Sequence, residues 1–381
     1  MPSRGLRKGT QGRLEDVESA TAACFRFLLI TYWSVVVAPR KELSFATCNL
    51  FNINEPGLAM YRNAEGWTRE EYDRKVDFLA RALLFVEADV WGFQELWHRK
   101  SLVNVFKKAK LQTEYEILCP NEHQGEKIIC AAAVRKDLLV GEPEWIEVFP
   151  EKFVLVGSGD DPQTPEIAVR LRSFSRPVLH FAIKPRADSS VIQVYVAHLK
   201  SKLPAPVDKE GWFRGDREYY KHHRAGLGGA LSTIRRTAEA AALRMMMTDL
   251  IKGNDDPVVV LGDLNDDKGT NTLNILTEQP NYLMGLSTGG SDVGLYSAGT
   301  LQLYRSERDV YYTHIHQNNR ESLDHILVSQ EFYDNSKKRI WAFDGAQIMN
   351  DHLNRDDPKE TGATDHGIVK ARFIYKPARG G

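Results

Sequence analysis

The sequence predicts an α/β fold: two β-sheets packed face to face, with helices on the outside. Three observations carry this. Short runs of apolar, often β-branched residues recur along the chain, and each meets a polar residue at one end. Helical spacing is confined to two long stretches. No repeat, low-complexity segment or Pro/Gly/Ser-rich seam divides the chain, so one large domain is expected over residues 41–377, after an N-terminal extension (1–40) and before a short tail (378–381).

Taken in order, Leu43 to Cys48 is the first expected strand and runs into Asn49. A helix follows, in which Thr68 and Glu71 make a capping box and Tyr72, Val76, Leu79, Leu83 and Val86 share one face. Asp89 to Phe93 is a strand ending at Gln94-Glu95, and Val191 to Ala197 is a strand ending at His198. The Ala-, Leu- and Met-rich stretch Thr233 to Ile251 is the second helix. Its Met245-Met246-Met247 triplet reads as one or two core positions rather than a binding surface. Val258 to Leu261 leads into Gly262-Asp263, and Ile326 to Val328 follows Asp324.

Composition excludes several classes. Lys+Arg number 50 against 51 Asp+Glu, a net charge of -1, so this is no polycation held to nucleic acid by bulk charge. Hydrophobic residues make up 42%, enough for a large core and incompatible with disorder or a collagen-like chain. Cys24, Cys48, Cys119 and Cys130 have no zinc-type spacing and imply no disulfide framework, so a metal would need oxygen ligands. The longest uncharged run, Phe27 to Pro39, falls short of the ~20 apolar residues of a spanning helix. Glu15, Asp16 and Glu18 before it are foreign to a signal peptide, so a cytoplasmic protein is expected, with secretion as the alternative.

The polar residues at the strand ends carry the chemistry. In chain order they are Asn49 in TCNLFN, Glu95 in GFQE, His198 in AHLKSK, Asp263 and Asn265 in LGDLND, Asp324 in SLDHILVS, and Asp365 and His366 in TDH. Each alone reads as an ordinary loop residue, and G-D-L-N by itself as turn chemistry. Together they supply the carboxylate and amide oxygens that Mg²⁺ prefers, beside imidazoles able to move protons near neutral pH. That set describes metal-assisted hydrolysis of a phosphate ester.

On these six motifs, in this order over about Leu43 to Phe373, the sequence resembles the endonuclease/exonuclease/phosphatase superfamily, which includes pancreatic-type deoxyribonucleases and abasic-site endonucleases. The resemblance implies a four-layered α/β sandwich of two mostly antiparallel sheets flanked by helices, with the active site at one edge. It implies Glu95 as principal ligand of Mg²⁺ (Mn²⁺ or Ca²⁺ as substitutes), with Asn49 beside it and Asp365 as a further metal or phosphate-side ligand. Asp263 and Asn265 would orient the attacking water and contact the phosphate. His366, held by Asp324, would stand beside that water, and His198 would contact the phosphate and protonate the departing oxygen. Lys200 and Ser201 follow His198 as in many bacterial members. Two departures stand out. Phe51 occupies the position where abasic-site enzymes carry an Asp, and the only candidate to orient His198 is Glu126.

Between His198 and Arg244 the chain is locally basic, with ten Lys/Arg against five Asp/Glu, and it interleaves Trp212, Phe213, Tyr219 and Tyr220 with Arg214, Arg217 and Lys221. This suits a nucleic-acid contact loop as well as it suits a solvated surface. Lys200, Arg176, Arg214 and Arg217 are therefore expected to face substrate, although Arg176 and the YYTHIH stretch with His314 and His316 read first as strand residues. The expected function is a monomeric Mg²⁺-dependent nuclease on DNA, with RNA a further substrate, and without stable membrane association. One alternative is a phospholipid or inositol-phosphate phosphoesterase, disfavoured by the lack of a P-x-W-C-D-R-type motif and of a strongly apolar docking loop. The other is an inactive nucleic-acid-binding module, which would lack at least one of Glu95, Asp263, Asp324 and His366; all four are present.

Overall fold

A computed structural model describes residues 39–61, 65–160, 163–277, 290–306, 311–354 and 357–378. The expected extension therefore lies, up to residue 38, outside the described residues. The remainder builds two six-stranded sheets.

In the first sheet the order is β15 (Trp341–Met349), β16 (Ile368–Tyr375), β1 (Glu42–Ile53), β2 (Val90–His98), β4 (Gln124–Arg135) and β3 (Tyr115–Leu118). In the second it is β11 (Tyr296–Ser297), β14 (Asp324–Val328), β10 (Val258–Asp263), β9 (Ile192–His198), β8 (Ser173–Ile183) and β5 (Leu139–Val148). Each sheet holds one parallel pair, β1 with β2 and β10 with β9, among antiparallel neighbours. Two small ribbons pair β6 (Val156–Gly157) with β7 (Ile167–Ala168), and β12 (His314–His316) with β13 (Asn319–Glu321).

Alternation along the strands makes four layers, because a strand sends successive side chains to opposite faces. Leu43 and Phe45 of β1, Cys130 and Ala132 of β4, Val194 and Val196 of β9, and Val259 and Leu261 of β10 meet between the sheets. Their neighbours Ala46, Cys48, Ala131 and Ala133 face outward onto helices α1 (Arg69–Val86) and α2 (Arg99–Lys108). On the other side Tyr195, Ala197, Val258 and Val260 pack against α5 (Arg224–Ile251) and α6 (Asn271–Thr277), and α3 (Gly211–Gly215) and α4 (Arg217–Tyr220) precede α5. Both expected helices are present, and the Thr68–Glu71 capping box forms both of its hydrogen bonds. The second helix starts nine residues earlier than expected, at Arg224 rather than Thr233, because the glycines at 226, 228 and 229 mask helical spacing. Met247 is buried and Met246 packs beside it, the core role expected of the triplet.

Two glycines let the layers close. A Cβ on Gly92 would sit 2.9 Å from Leu261 Cβ in the facing sheet, and one on Gly262 would sit 1.9 Å from the Ala197 carbonyl oxygen. Gly262 of the G-D-L-N motif is thus required by strand packing rather than by turn geometry. It lets β10 lie against β9 directly before Asp263.

Candidate active site

The C-terminal ends of the two parallel pairs lie at one edge of the sandwich and bring the motif residues together. Pairing across the second sheet aligns His198, Asp263 and Asp324 in one row, with Asp263 opposite both neighbours. In the first sheet Asn49 pairs with Gln94, one residue before Glu95. Sequence reasoning puts Asn49 and Glu95 after strand ends, whereas β1 and β2 run on past them through an irregular stretch. Phe51 (φ 51°), Asn52 (φ 52°) and Glu95 (φ 60°) all take the left-handed conformation, as does Asn265 (φ 54°). Such backbone is costly for residues with a Cβ and persists where surrounding contacts over-determine it. Here the indole N–H groups of Trp67 and Trp97 donate to the Asn52 carbonyl (2.8 Å) and side chain (2.9 Å), and the Asn52 amide donates to Glu95 Oε2 at 3.0 Å. The bulge thereby aims the Glu95 carboxylate.

Asp263 is the hub. Its Oδ2 accepts from Asn49 Nδ2 at 3.1 Å across the two sheets, lies 3.5 Å from His198 Nε2, and is 3.9 Å from His366 Nε2. Its Oδ1 accepts from the Asn265 amide at 2.9 Å. His366 Nδ1 donates to Asp324 Oδ2 at 2.7 Å. Burial pushes the Asp263 carboxyl up to about 7 against the pull of His366, with Asp324 and Glu95 adding to the rise. Burial alone would depress His366, but Asp324, Asp263 and Asp365 outweigh it and raise the imidazole well above its ordinary value. His198 goes the opposite way, far down, through burial and then the positive charges of Arg176, His366 and Lys200. The two histidines are thus shifted in opposite directions around one carboxylate, the separation that acid and base roles require.

Several carboxyl groups at the site are buried with little compensation. Glu95 is raised by burial and by Asp365, and Asp324 Oδ1 and Asp365 Oδ1 are buried without a hydrogen-bond partner. Buried carboxylate oxygens left unpaired are expensive unless something positive meets them. Among the described residues, Asp263, Asp324 and His366 offer ligand atoms within 4.8 Å of one another, a spacing that can hold an ion. Two of these residues, His366 and Asp324, are also hydrogen-bonded to each other through Nδ1 and Oδ2.

Of the other expected residues, Arg176 reaches the site: its Nη1 and Asn265 Nδ2 both donate to the Leu199 carbonyl, at 2.9 and 3.0 Å. Lys200 does not face it, because its ammonium turns back onto Ser201 and the Leu203 carbonyl. Arg214 and Arg217 are exposed on α3 and α4, and neither is bonded to the Asp263 cluster. Glu126 is corrected outright. It is exposed and stands 4.0 Å from His123, while His198 is turned to Asp263.

Two residues that join the site, Glu239 and Tyr61, carry no sequence expectation, and a third, His314, is expected first as a strand residue and second as a substrate contact. Glu239 of α5 accepts from Ser175 N (2.8 Å), Ser175 Oγ (2.5 Å) and Lys200 N (2.8 Å), fixing the segment after His198. His314, read first as a strand residue, lies with its ring centroid 4.7 Å from that of His366 and bonds the Asp365 carbonyl through Nδ1 at 3.0 Å. Tyr61 packs on Trp97 and feels the charges of Glu95 and Arg176. Only His314, next to another His in YYTHIH, had a local signal.

Residues 164–366, more than half of the chain, match the model of the Endonuclease/Exonuclease/phosphatase family. The match holds Arg176, His198, Asp263, Asn265, Asp324, Asp365 and His366, while Asn49 and Glu95 precede it. A search of curated proteins by sequence gives no match. Among solved structures, truncated TDP2 from Caenorhabditis elegans is similar with a TM-score of 0.50 at 14% identity, over 87% of this chain and 97% of that one. The endonuclease/exonuclease/phosphatase from Bacteroides vulgatus has a TM-score of 0.47 at 13% identity, over 88% and 100% of the two chains. The human Nocturnin catalytic domain, solved with bound sulfate, has 0.48 at 16%, over 88% and 96%. With its two mixed sheets and flanking helices, this chain belongs to the endonuclease/exonuclease/phosphatase family, whose members are generally metal-dependent phosphoester hydrolases.

Proposed function

We propose that the chain is a Mg²⁺-dependent phosphodiesterase that hydrolyses nucleic acid, DNA first and RNA second, by in-line attack of water. One observation carries this reading: Asp263 stands within 3.9 Å of a depressed and a raised histidine, while Asn49 and Asn265 hold its orientation. Such a carboxylate positions a water. His366, fixed through Nδ1 by Asp324, presents Nε2 toward that water, and His198 faces the phosphoryl oxygens with Asn265. Positioning and charge stabilisation do most of the work in such displacements, so an ordered constellation matters more than one strong base.

Glu95, Asn49 and Asp365 would hold the metal. Their all-oxygen chemistry and the unpaired buried Asp365 Oδ1 fit a hard cation. Bound there, Mg²⁺ would polarise the phosphoryl oxygen and offset charge on the leaving oxygen. Arg176, beside His198 with one Nη spent on Leu199, is the guanidinium placed to hold a phosphate. Exposed Arg214, Arg217, Trp212 and Tyr219 suit a more distant strand contact.

A second reading, hydrolysis of a phospholipid, draws on one feature. Leu227, Leu231 and Ile234 form an exposed apolar row at helical spacing on α5, near the exposed Leu203. No helix among the described residues is long and apolar enough to cross a membrane. The deciding experiment incubates purified protein with supercoiled plasmid, single-stranded DNA, RNA and sphingomyelin vesicles, each with Mg²⁺ and with EDTA. Mg²⁺-dependent cleavage of nucleic acid that disappears in His366→Ala is the expected result. Intact plasmid and single strands alongside hydrolysed sphingomyelin would overturn the nuclease reading.

A further inference from the structure

Lys75 lies on α1 among Tyr72, Val76 and Leu79 and is completely buried. Its ammonium donates to the Ala363 carbonyl at 2.9 Å and sits 4.8 Å from the Phe51 ring centroid and 5.4 Å from that of Trp67. No ion pair joins it to a carboxylate among the described residues. An ammonium carries three donors, so one carbonyl and two aromatic faces leave it under-compensated, and a Leu would fill the same helix position at far lower cost. The position of the charge gives a reason to keep it. Ala363 begins the turn that delivers Asp365 and His366, and burial pulls the ammonium down to about 8 against the opposing pull of Asp365, Cys48 and Glu95. The turn is pressed onto the same helix, since a Cβ on Gly362 would come within 2.4 Å of the Arg74 backbone.

We propose that Lys75 is a positioning residue for the active site: its ammonium fixes the Ala363–His366 turn against α1 and the Phe51 bulge, and offsets the negative charge of Glu95 and Asp365. It thus does from behind the site two things the sequence motifs leave unassigned. The reading of Glu95 and Asp365 as metal-facing residues is the one proposed above, and the turn-fixing role stands apart from it.

The test compares wild type with Lys75→Met, which removes hydrogen bond and charge, and Lys75→Gln, which keeps a donor without charge. Hydrogen exchange of the Thr364–Gly367 amides reads the turn in the absence of metal. Titration calorimetry with Mg²⁺ alone reads the charge. Exchange is expected to accelerate about tenfold or more in Lys75→Met and much less in Lys75→Gln. In Lys75→Gln, whose donor still holds the turn, the Mg²⁺ dissociation constant is expected to fall about threefold to tenfold, since the carboxylates lose a competing cation. The direction is diagnostic, because general loosening of the site weakens metal binding. Unchanged exchange in a folded Lys75→Met protein overturns the positioning role, and weaker or unchanged Mg²⁺ binding in Lys75→Gln overturns the charge role. If Lys75→Met does not fold, Lys75→Gln decides: tighter Mg²⁺ binding supports the proposal and weaker or unchanged binding sinks it. Wild type that binds no Mg²⁺ overturns the proposed function instead, and exchange alone then judges Lys75.

Discussion

His366 Nδ1 donates to Asp324 Oδ2 at 2.7 Å, and both side chains are almost wholly buried. His366 stands just before β16 in the first sheet and Asp324 opens β14 in the second, so this bond ties the two sheets together at the site edge. It also sets the ring's tautomer and leaves Nε2 toward Asp263.

Asp324→Asn keeps the shape and removes the charge. The imidazole, now raised chiefly by Asp324 and Asp263 against burial, should titrate lower. With the orienting anion gone, kcat should drop about a hundredfold or more while KM moves by less than about threefold. Nitrogen NMR of the ring and steady-state kinetics check the two halves. A ring that titrates as in wild type would remove Asp324 from this role.

Glu95 allows a prediction in which stability and function part. Burial and the neighbouring Asp365 raise its carboxyl, so its ionised form carries a cost in the metal-free protein. Glu95→Gln should therefore melt at the same temperature or higher. Mg²⁺ affinity should weaken about tenfold or more, because a carboxylate ligand is gone. Scanning calorimetry and Mg²⁺ titration measure these separately. A large loss of melting temperature with Mg²⁺ binding intact would make Glu95 a structural residue.

Five strands and both long helices were legible because each rests on local pattern, while the grouping of Asn49, Glu95, His198, Asp263, Asp324 and His366 was legible only through the order of six motifs that resembles one family. Short apolar, β-branched runs mark the strands, the Thr68–Glu71 box marks a helix start, and polar residues beside the runs become informative as a set. What stayed hidden depends on partners far away in sequence. Lys75 meets Ala363 across 288 positions and Glu239 meets Ser175 across 64, and neither residue differs locally from a solvated helix charge. The error over Glu126 has the same root. Its place just before the apolar run Ile128 to Val134 was readable, but not that β4 already includes it or that its side chain faces water on the side of His123. Lys200 lies two residues after a site histidine, a spacing that on a continued strand would share its face, and still folds back on its own loop, because β9 ends at His198 and its ammonium bonds Ser201 and the Leu203 carbonyl.

Glu239 should behave as a keystone of the second sheet's edge. Its carboxylate is buried and takes three donors from two separate segments, one of them carrying Arg176 and the other Lys200. Glu239→Ala strands two backbone amides and a hydroxyl, which should cost about 2–4 kcal/mol in urea unfolding. The remaining folded protein should show weakened substrate binding through Arg176. A loss below about 0.5 kcal/mol would mean that water replaces the carboxylate readily.

Glu331 lies away from the motif residues and gives a pH test of the fold itself. It is 2% exposed, accepts from Ser329 Oγ at 2.5 Å, and burial pushes its carboxyl up from 4.5 to about 7. Between those two values the folded state holds a proton that the unfolded chain has released, so stability is greatest below about 4.5 and falls as pH rises toward 7. Above that, the ionised and buried carboxylate costs roughly 3 kcal/mol. Glu331→Gln keeps an oxygen for Ser329 and cannot ionise. It should match wild type at pH near 4.5 and exceed it by about 1–3 kcal/mol at pH 8, measured by denaturant unfolding at both values. Equal stability of the two proteins at pH 8 would show that the carboxylate ionises at its ordinary value, with water or Lys338 meeting its charge.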